Sequence, residues 1–424
     1  MRTLIVTYDM VPHAFTWGGC QRMYFLVKKL KALGIDTQVV AMRSASFNTF
    51  GKEVFEDTIF TEPKTEIKAG NSNGTAPHKS TGASGFIRKA AFIGDTFFFN
   101  EIQAGNGIKA YQRYRNAKKT LIKTVTQQKY DVAIVSGPPF VVFDAIPLIK
   151  KHSPGTRVVM DYRDPWNFWH MGNLLTTQRE KRIQRIADTI VCTNDALCAD
   201  MSVAFGIPSS KYHVIANGYA EDLEHFELPE ISSKRFEVVY TGAIAFNDVI
   251  DSYRDTSQLI AALRELINEG VNDITLTFIG AANSDTEEAR RLRQEFGEAI
   301  NIVGHVSSKE AKEYVAKGSA CLLLHTTDDA SGKYLISGKL YDYIQQKKYV
   351  LSIASKQSQH ATLLEKYSIG INAENNKEDI KQMLLSARSL WKDHQLEIAY
   401  NNVDIQVFSR DTQIKKYINL IKQF

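Results

Sequence analysis

A short stretch in the last quarter of the chain has the residue types that bind phosphate groups. Within Ser337–Ile344, the apolar residues Leu340 and Ile344 stand four positions apart, which predicts a helix with one buried face. Ser337 precedes that helix, and its hydroxyl can accept a hydrogen bond from a free backbone N–H of the first turn. We therefore expect a capped helix whose first turn leaves several N–H groups available to a ligand.

The residues that follow the cap suit an anion. Gly338 has no side chain to keep a ligand away, and Lys339 adds a positive charge at the positive end of the helix dipole. Asp342, one turn later, can accept hydrogen bonds from the hydroxyl groups of a ribose. The spacing is not that of a P-loop, so an ordinary capped helix with a surface lysine is the alternative.

Two predicted strands of the second half end in glycine. Gly242 follows the strand Phe236–Tyr240, and Gly280 follows the strand Ile274–Phe278. Ligands of open parallel sheets bind beyond the carboxyl ends of the strands. Glycines at these ends leave room for a ligand, so we include both in the candidate site.

In the first half, charged residues and a glycine pair occupy the corresponding places. Arg163 and Asp164 come directly after the predicted strand Arg157–Asp161, and they are our candidate catalytic residues. Gly18 and Gly19 open the helix after the first strand, where they either let a ligand approach the backbone or form a plain turn. The Gly-x-Gly-x-x-Gly fingerprint of dinucleotide-binding domains is absent there.

Strands and helices alternate in two successive series, which predicts an α/β protein with two doubly wound parallel sheets. A chain of 424 residues is also too long for one ordinary domain. We predict a first Rossmann-like domain over residues 1–222, a polar linker, and a second over residues 235–396. The rest, residues 397–424, ends in an amphipathic helix.

Composition is that of a globular protein, with 44% hydrophobic and 23% charged residues. No apolar run is long enough to span a bilayer, and Met1–Thr7 leads directly into a strand, so we expect neither a membrane span nor a signal peptide. The four cysteines lack paired or metal-type spacing, and we expect buried thiols in a reducing cytoplasm.

Charge is distributed unevenly along the chain. Residues 1–220 have a net charge of about +11, and the remainder about −6. No nucleic-acid-binding motif accompanies the basic residues, so we expect no nucleic-acid partner. Within the irregular region 60–125, an apolar and basic segment, Phe86–Phe99, precedes a basic helix. This region either contacts an anionic membrane surface or packs its aromatic residues inward with its lysines in water.

Taken in order, these motifs resemble the GT-B glycosyltransferases, most closely the family 4-like group (glycosyltransferase group 1). The resemblance rests on motifs spread over most of the chain: Gly18-Gly19, Asp161–Trp166, Asn217-Gly218, Tyr240–Gly242, Phe278–Gly280, Gly304–Ser307 and Gly338–Tyr343. It implies two Rossmann-like domains that face each other across a cleft, and a C-terminal helix that crosses back to the first domain. The region 60–125 is the part it covers worst.

The resemblance also implies roles for the candidate residues. A nucleotide sugar would be held mainly by the second domain, with the backbone of Ser337 and Gly338 and the side chain of Lys339 on the diphosphate and Asp342 on the ribose. The pair Gly18 and Gly19 would approach the diphosphate and the sugar, together with the strand-end glycines Gly242 and Gly280. Arg163 or Asp164 would contact the transferred sugar or the acceptor.

The chain departs from the family pattern at two places. The first glutamate of the family's Glu-x7-Glu motif falls at Tyr334, and the second falls at Asp342. The usual basic residues after the first strand of the second domain are missing, so Arg254 is our candidate for the second phosphate contact. The fold type generally works without a metal; we read the pair Asp328-Asp329 as an exposed loop and expect no metal or other cofactor.

The function expected from the resemblance is transfer of a sugar, as a hexosyltransferase with a retaining outcome, from a nucleotide sugar to a glycan or lipid-linked acceptor. We expect the setting to be bacterial surface polysaccharide synthesis, in the cytoplasm or on the inner face of the membrane. Two alternatives stay open: a non-hydrolysing nucleotide-sugar epimerase of the same fold, and a catalytically silent scaffold partner, which the residue Tyr334 favours.

Overall fold

The structure is a computed structural model that describes residues 1–14, 17–42, 52–61, 98, 106–168, 172–220, 234–242, 244, 254–280, 285–325 and 331–424. The chain divides into two compact units. Unit 1 consists of Met1–Asn217 together with Ile414–Phe424, and unit 2 is Gly218–Gln413.

Unit 1 is built on a seven-stranded sheet whose strands are all parallel, in the order β3-β2-β1-β4-β5-β6-β7. Its strands are β1 (Arg2–Thr7), β2 (Asp36–Ala41), β3 (Thr58–Phe60), β4 (Val132–Gly137), β5 (Arg157–Tyr162), β6 (Thr189–Cys192) and β7 (Tyr212–Val214). The central strands are apolar runs with nearly every residue buried, as parallel sheets covered on both faces require.

The helices of unit 1 are α1 (Trp17–Ala32), α2 (Asn106–Gln127), α3 (Ala145–His152), α4 (Leu174–Ile186) and α5 (Asp195–Phe205). Asparagine caps two of them: Asn173 accepts from the backbone N–H of Thr176 in α4, and Asn194 accepts from that of Leu197 in α5. Helix α2 buries Tyr114 and Leu121 and turns lysines toward solvent on the opposite side.

Unit 2 is built on a six-stranded parallel sheet in the order β10-β9-β8-β11-β12-β13. Its strands are β8 (Phe236–Thr241), β9 (Ile274–Ile279), β10 (Ile300–Val303), β11 (Ala320–His325), β12 (Tyr349–Ala354) and β13 (Gly370–Ala373). Its helices are α6 (Ser257–Asn268), α7 (Glu287–Phe296), α8 (Ser308–Lys317), α9 (Ser331–Tyr334), α10 (Gly338–Gln345), α11 (Gln359–Tyr367) and α12 (Lys377–Lys392).

A last helix, α13 (Arg410–Ile421), ends the chain. The division between the units falls within it, because residues from Ile414 onward belong to unit 1. There Tyr417, Ile418 and Ile421 are buried in the same core as Ile5 of β1. These side chains recur at helical spacing, so burial of one stripe accounts for the helix.

The predicted fold class, two α/β domains each with a parallel sheet, is confirmed. The four cysteines are buried, as expected, and form no disulfide. The sequence analysis missed β3, which has three residues and lies at the sheet edge. The segment Phe86–Phe99 lies outside the described residues except for Phe98, and Asp328-Asp329 lies outside them altogether.

In the parts of the chain that the structure describes, no helix combines the length and the apolar character needed to cross a membrane.

Candidate functional site

Helix α10 begins with the cap that the sequence predicts. The Ser337 hydroxyl oxygen accepts a hydrogen bond from the backbone N–H of Lys339 at 3.3 Å. Leu340 and Ile344 are fully buried, so the helix is anchored by its apolar face. Gly338 is exposed, and a Cβ built on it would meet no atom within 4 Å. The first turn therefore has open space in front of its backbone.

Helix α10 is tied to the end of β8 by a buried tyrosine. The Tyr343 hydroxyl lies 3.2 Å from the backbone nitrogen of Thr241 and accepts its hydrogen. The same hydroxyl lies 3.1 Å from the Thr241 side-chain oxygen. This contact fixes the helix against the carboxyl end of β8, which is where a sheet of this type binds its ligands.

The Lys339 side chain crosses directly over Gly242. A Cβ at Gly242 would lie 2.6 Å from Cε and 2.8 Å from Nζ of Lys339, so a side chain there would displace the end of Lys339. Gly242 also has φ +120°, a backbone conformation that residues with side chains rarely adopt. The ammonium donates to the Tyr240 hydroxyl at 3.0 Å and lies 4.5 Å from the centre of the same ring.

Two features lower the pKa of Lys339 to about 7. Burial is the larger, because it disfavours the charged form, and the nearby positive charge of Arg254 adds to it. Asp342 opposes both. Lys339 and Arg254, predicted as the two phosphate contacts, are thus neighbours in unit 2. A ligand with two negative charges would relieve their repulsion and raise the pKa of Lys339.

Asp342 lies one turn into α10; the residue reaches solvent, while the surrounding protein crowds its carboxyl. Desolvation by the surrounding protein raises the pKa of its carboxyl to about 6, while Lys312, Arg410 and Lys339 pull it down. At neutral pH the carboxylate is therefore mostly ionised. An ionised and accessible carboxylate can accept hydrogen bonds from a pair of vicinal hydroxyls.

Gly280, the second strand-end glycine, packs against the first. Its φ is +80°, and a Cβ on it would lie 3.6 Å from the backbone nitrogen of Gly242. The Gly242 N–H donates to the Ile279 carbonyl at 2.8 Å, and the Gly280 N–H donates to the Gly304 carbonyl at 3.0 Å. The two turns form a surface without side chains next to Lys339.

Tyr334, at the place of the family's first glutamate, is the last residue of the short helix α9. It is buried, and the ammonium of Lys333 lies 5.5 Å from the centre of its ring. A buried phenol ring cannot supply the carboxylate that the family pattern has there.

Arg163 and Asp164 follow β5 in unit 1, as predicted. The Arg163 guanidinium donates to the Gly137 carbonyl at 3.3 Å and also to the Pro138 carbonyl. Desolvation lowers the pKa of Arg163 and raises that of Asp164, and each charge partly offsets the shift of the other. The pair is held at the carboxyl end of the sheet with both side chains half-buried.

The glycine pair opens helix α1 in the same unit. Gly18 is exposed, and a Cβ on it would meet nothing within 4 Å; Gly19 is half-buried. The next residue, Cys20, lies near the positive charge of Arg163, which partly offsets the raised pKa of its buried thiol. The residue that follows the glycine pair thus lies near Arg163.

Solved structures similar to this chain include enzymes that handle nucleotide sugars. A glycosyltransferase from Rickettsia africae is 14% identical, with 100% of this chain and 98% of that chain covered and a TM-score of 0.62. The Anabaena protein HepE, in complex with UDP-glucose, is 14% identical over 100% of both chains with a TM-score of 0.58. The chain has the GT-B fold.

A UDP-N-acetylglucosamine 2-epimerase described as putative, from Listeria monocytogenes, is 11% identical, with 99% of this chain and 95% of that chain covered and a TM-score of 0.58. No protein-family model matches the chain, and no curated protein matches it. Identities this low establish the GT-B fold and leave the activity to be argued from the site.

The sequence analysis missed a buried ion pair in the first GT-B domain, unit 1. Arg22 of α1 donates to Asp161 at the end of β5, with 2.9 Å between nitrogen and oxygen. Arg22 also donates to the Ala216 carbonyl at 2.9 Å, and the Ser136 hydroxyl donates to Asp161 at 2.7 Å. The residue types were visible, but a pair separated by 139 positions gives no local signal.

A second missed group supports the loop that contains Arg163 and Asp164. Glu180 of α4 is fully buried and accepts from the Tyr162 hydroxyl at 2.8 Å and from the Asn167 side-chain amide at 2.6 Å. Burial raises the pKa of Glu180 to about 7, against the lowering effect of these hydrogen bonds. Because Tyr162 precedes and Asn167 follows the candidate pair, Glu180 fixes the loop at both ends.

Within the described ranges, no group of three or more His, Cys, Asp or Glu side chains is placed to hold a metal ion.

Proposed function

We propose that this chain transfers a sugar from a nucleotide-sugar donor to a glycan or lipid-linked acceptor. The observation that supports it best is the position of the Lys339 ammonium across Gly242, beside the open first turn of α10. The exposed backbone of Gly338, the positive end of the helix dipole and a cation converge there on a surface without side chains. A diphosphate matches that combination in both charge and shape.

Glycosyl transfer requires the protein to stabilise the negative charge that grows on the departing diphosphate. In this proposal Lys339, Arg254 and the backbone N–H of Gly338 provide that stabilisation. Their arrangement precedes ligand binding, because Ser337 and Tyr343 already fix the helix. Preorganised donors of this kind need little rearrangement at the moment of reaction.

The remaining residues are assigned to the rest of the donor and to the acceptor. Asp342 would bind the ribose hydroxyls. In the first GT-B domain, Gly18 and Gly19 would leave room for the diphosphate and sugar, and the pair Arg163–Asp164 would bind the transferred sugar or orient the acceptor hydroxyl. We propose that this domain, residues 1–222, serves the acceptor and that residues 235–396 hold the donor. We expect a hexose and a retaining outcome, and no step assigned here needs a metal.

The acceptor is proposed to be attached to a lipid, as in bacterial surface polysaccharide synthesis at the cytoplasmic face of the membrane. Helix α2 supports this, because Arg115, Lys118, Lys119 and Lys123 are all exposed on it. Tyr111 on the same helix is 39% exposed and Phe98 is 57% exposed. Basic residues with exposed aromatic side chains nearby suit an anionic membrane interface.

A thermal-shift panel of UDP, ADP, GDP and their glucose derivatives tests the donor assignment. Binding to the folded protein raises the melting temperature by mass action. We expect one nucleotide to raise it in the wild type and to have little effect on Lys339→Ala. No shift with any member of the panel would contradict the proposed function and would favour the scaffold role that the buried Tyr334 suggests.

A second candidate, epimerisation of a nucleotide sugar, is favoured by the likeness to the Listeria epimerase. An epimerase needs no acceptor. Incubating the donor alone and recording its proton NMR spectrum separates the two functions: a new sugar epimer would support epimerisation. Release of nucleoside diphosphate only when a glycan or lipid-linked acceptor is added would support transfer.

A further inference from the structure

The backbone N–H of Ser337 has an unusual partner. It donates to the Nε2 atom of His360, a residue of α11, at 3.1 Å. His360 is 3% exposed, and its other ring nitrogen, Nδ1, is buried without a hydrogen-bond partner among the described residues. A histidine from another helix thus orients the residue that caps the proposed diphosphate site.

Helix α8 shows how such an N–H is ordinarily satisfied. There Ser307 is the cap, its N–H donates to the Glu310 carboxylate at 2.8 Å, and the Glu310 N–H donates to the Ser307 hydroxyl at 3.2 Å. This reciprocal pair is a capping box. In α10 the residue three positions after the cap is Leu340, in the place of Glu310. Its side chain is fully buried and has no atom that could accept a hydrogen bond.

Replacing the glutamate of a capping box with a histidine changes the charge at the helix terminus. A carboxylate there would compete with an incoming anion for the same N–H groups and for Lys339. A neutral imidazole accepts the cap N–H without adding negative charge. The cap of α10 is therefore satisfied while its first turn stays available to an anion.

The surroundings of His360 keep the ring neutral. Burial, the neighbouring His325 and the ammonium of Lys339 together lower the pKa of His360 to about 3, with burial the largest cause. The rings of His325 and His360 lie 6.2 Å apart, centre to centre, and nearly perpendicular. An Nε2 atom that accepts a hydrogen bond has its proton on Nδ1, so the structure requires one tautomer.

We propose that His360 is a positioning residue for the diphosphate, acting through the Ser337 cap as a neutral replacement for a capping-box glutamate. The inference rests on the proposed nucleotide-sugar site and goes beyond it by giving a role to a residue that touches no ligand. It predicts that a variant without the His360 acceptor binds the phosphate groups of a nucleotide less tightly, with a smaller effect on binding of the base and the ribose.

The test compares affinities for UDP and UMP, or for ADP and AMP if the wild type prefers adenine. In His360→Leu the acceptor is lost, and we expect diphosphate affinity to fall about tenfold and monophosphate affinity to fall clearly less. His360→Gln places a neutral oxygen near the position of Nε2, and we expect it to retain most of the affinity. Isothermal titration calorimetry measures all six affinities, two for each of the three proteins.

Asn376→Ala is the matched control, because Asn376 caps α12 through the N–H of Asp379 at 2.9 Å, at the edge strand of the same sheet. It should lower stability without changing nucleotide affinity. Equal losses for diphosphate and monophosphate in His360→Leu would overturn the inference but leave the proposed function standing. If wild-type protein binds no nucleotide, the proposed function falls and the inference falls with it.

A second measurement does not depend on ligand. In protein labelled with ¹⁵N-histidine, the ring of His360, assigned by its loss in His360→Gln, should show a protonated Nδ1 and no titration between pH 5 and 8. Titration in that range, or a proton on Nε2, would overturn the inference even if the variant lost affinity. If His360→Leu does not fold, this spectrum and His360→Gln still decide the matter.

Discussion

At the scale of single residues, the depressed pKa of Lys339 makes donor binding a proton-linked reaction. In the free protein the ammonium has a pKa of about 7, so at pH 8 most molecules have a neutral Lys339. A bound diphosphate favours the charged form and raises that pKa. We therefore expect UDP-glucose to bind with proton uptake at pH 8 and with almost none at pH 6, where Lys339 is already protonated.

Calorimetry in buffers of different ionisation enthalpy measures this uptake directly. UDP-glucose is preferable to UDP, because its diphosphate has no group that titrates near pH 7. Lys339→Arg is the control, since its guanidinium stays charged and should show no uptake at pH 8. Uptake that persists in Lys339→Arg would assign the proton to another group, of which Asp342, with a pKa of about 6, is the nearest candidate.

Substitution of Gly242 tests whether the Lys339 side chain needs its position over this residue. In Gly242→Ala the new methyl group would lie 2.6 Å from Lys339 Cε and would also sit on a backbone with φ +120°. We expect a loss of about 1–3 kcal/mol in stability and a clear loss of nucleotide affinity. Urea unfolding and titration calorimetry measure the two effects.

Gly270→Ala is the control that separates backbone strain from displacement of the Lys339 side chain. Gly270 also has positive φ, at +87°, but a Cβ there meets nothing within 4 Å. It should lose stability and keep its affinity for nucleotide. If Gly242→Ala keeps that affinity as well, Lys339 does not need its present path across the strand end.

At the scale of elements, Glu180 links α4 to the loop after β5 and makes unit 1 sensitive to pH. The carboxyl has a pKa of about 7 when folded, against 4.5 in its ordinary state. The folded protein therefore binds more protons than the unfolded chain between these values, and stability from this group is lost as pH rises through 7. Between pH 5 and pH 7.5 we expect the free energy of unfolding of the wild type to fall by about 2 kcal/mol more than that of Glu180→Gln.

Urea unfolding at the two pH values, followed by tryptophan fluorescence, measures this difference between the variants. Subtracting the pH-dependent change of Glu180→Gln from that of the wild type removes the contribution of the other titrating groups. If both proteins respond equally to pH, the Glu180 carboxyl does not change protonation in this range.

The elements also show what the sequence could and could not predict. Strands such as β4 and β12 are continuous apolar runs, and the Ser337 cap spans only two positions, so both follow from local residue types. The contact of Lys339 with Tyr240 joins residues 99 positions apart. Glu180 gave no signal because a glutamate in a polar helix ordinarily faces solvent. Interactions of this kind depend on the packed structure.

The basic residues of helix α2 allow a test of the proposed membrane surface. Its exposed Lys118 and Lys119 should contribute about 1 kcal/mol each to binding of an anionic membrane. The double variant Lys118→Glu, Lys119→Glu should therefore sediment with phosphatidylglycerol vesicles much less than wild type at 0.1 M salt. Lys356→Glu with Lys366→Glu makes the same change of charge on exposed residues of unit 2 and should not affect sedimentation. Equal sedimentation of wild type and the α2 variant would remove the support for a membrane surface.

At the scale of the whole molecule, the two units differ in charge and in chain continuity. Residues 1–220 are strongly basic and the remainder is acidic, although the total is only +5. Unit 2 is one continuous stretch, Gly218–Gln413, whereas unit 1 needs Ile414–Phe424 from the far end of the chain. Folding of unit 1 is therefore incomplete until the last residues of the protein are available.

Deleting Ile414–Phe424 tests this dependence. The deletion removes five buried apolar side chains from the unit 1 core: Ile414, Tyr417, Ile418, Leu420 and Ile421. At about 1.5–3 kcal/mol each, their loss is comparable to the whole stability of a domain, so we expect unit 1 to unfold. Unit 2 retains α10 and Lys339, so a transition that UDP shifts upward should persist in calorimetric melting.

Deleting only Lys422–Phe424 is the control, because these three residues are exposed, and both transitions should stay as in the wild type. An Ile414–Phe424 deletion that melts like the wild type would mean that α13 is dispensable to the core of unit 1. Loss of the UDP-dependent transition together with unit 1 would contradict the proposal that unit 2 binds the donor on its own.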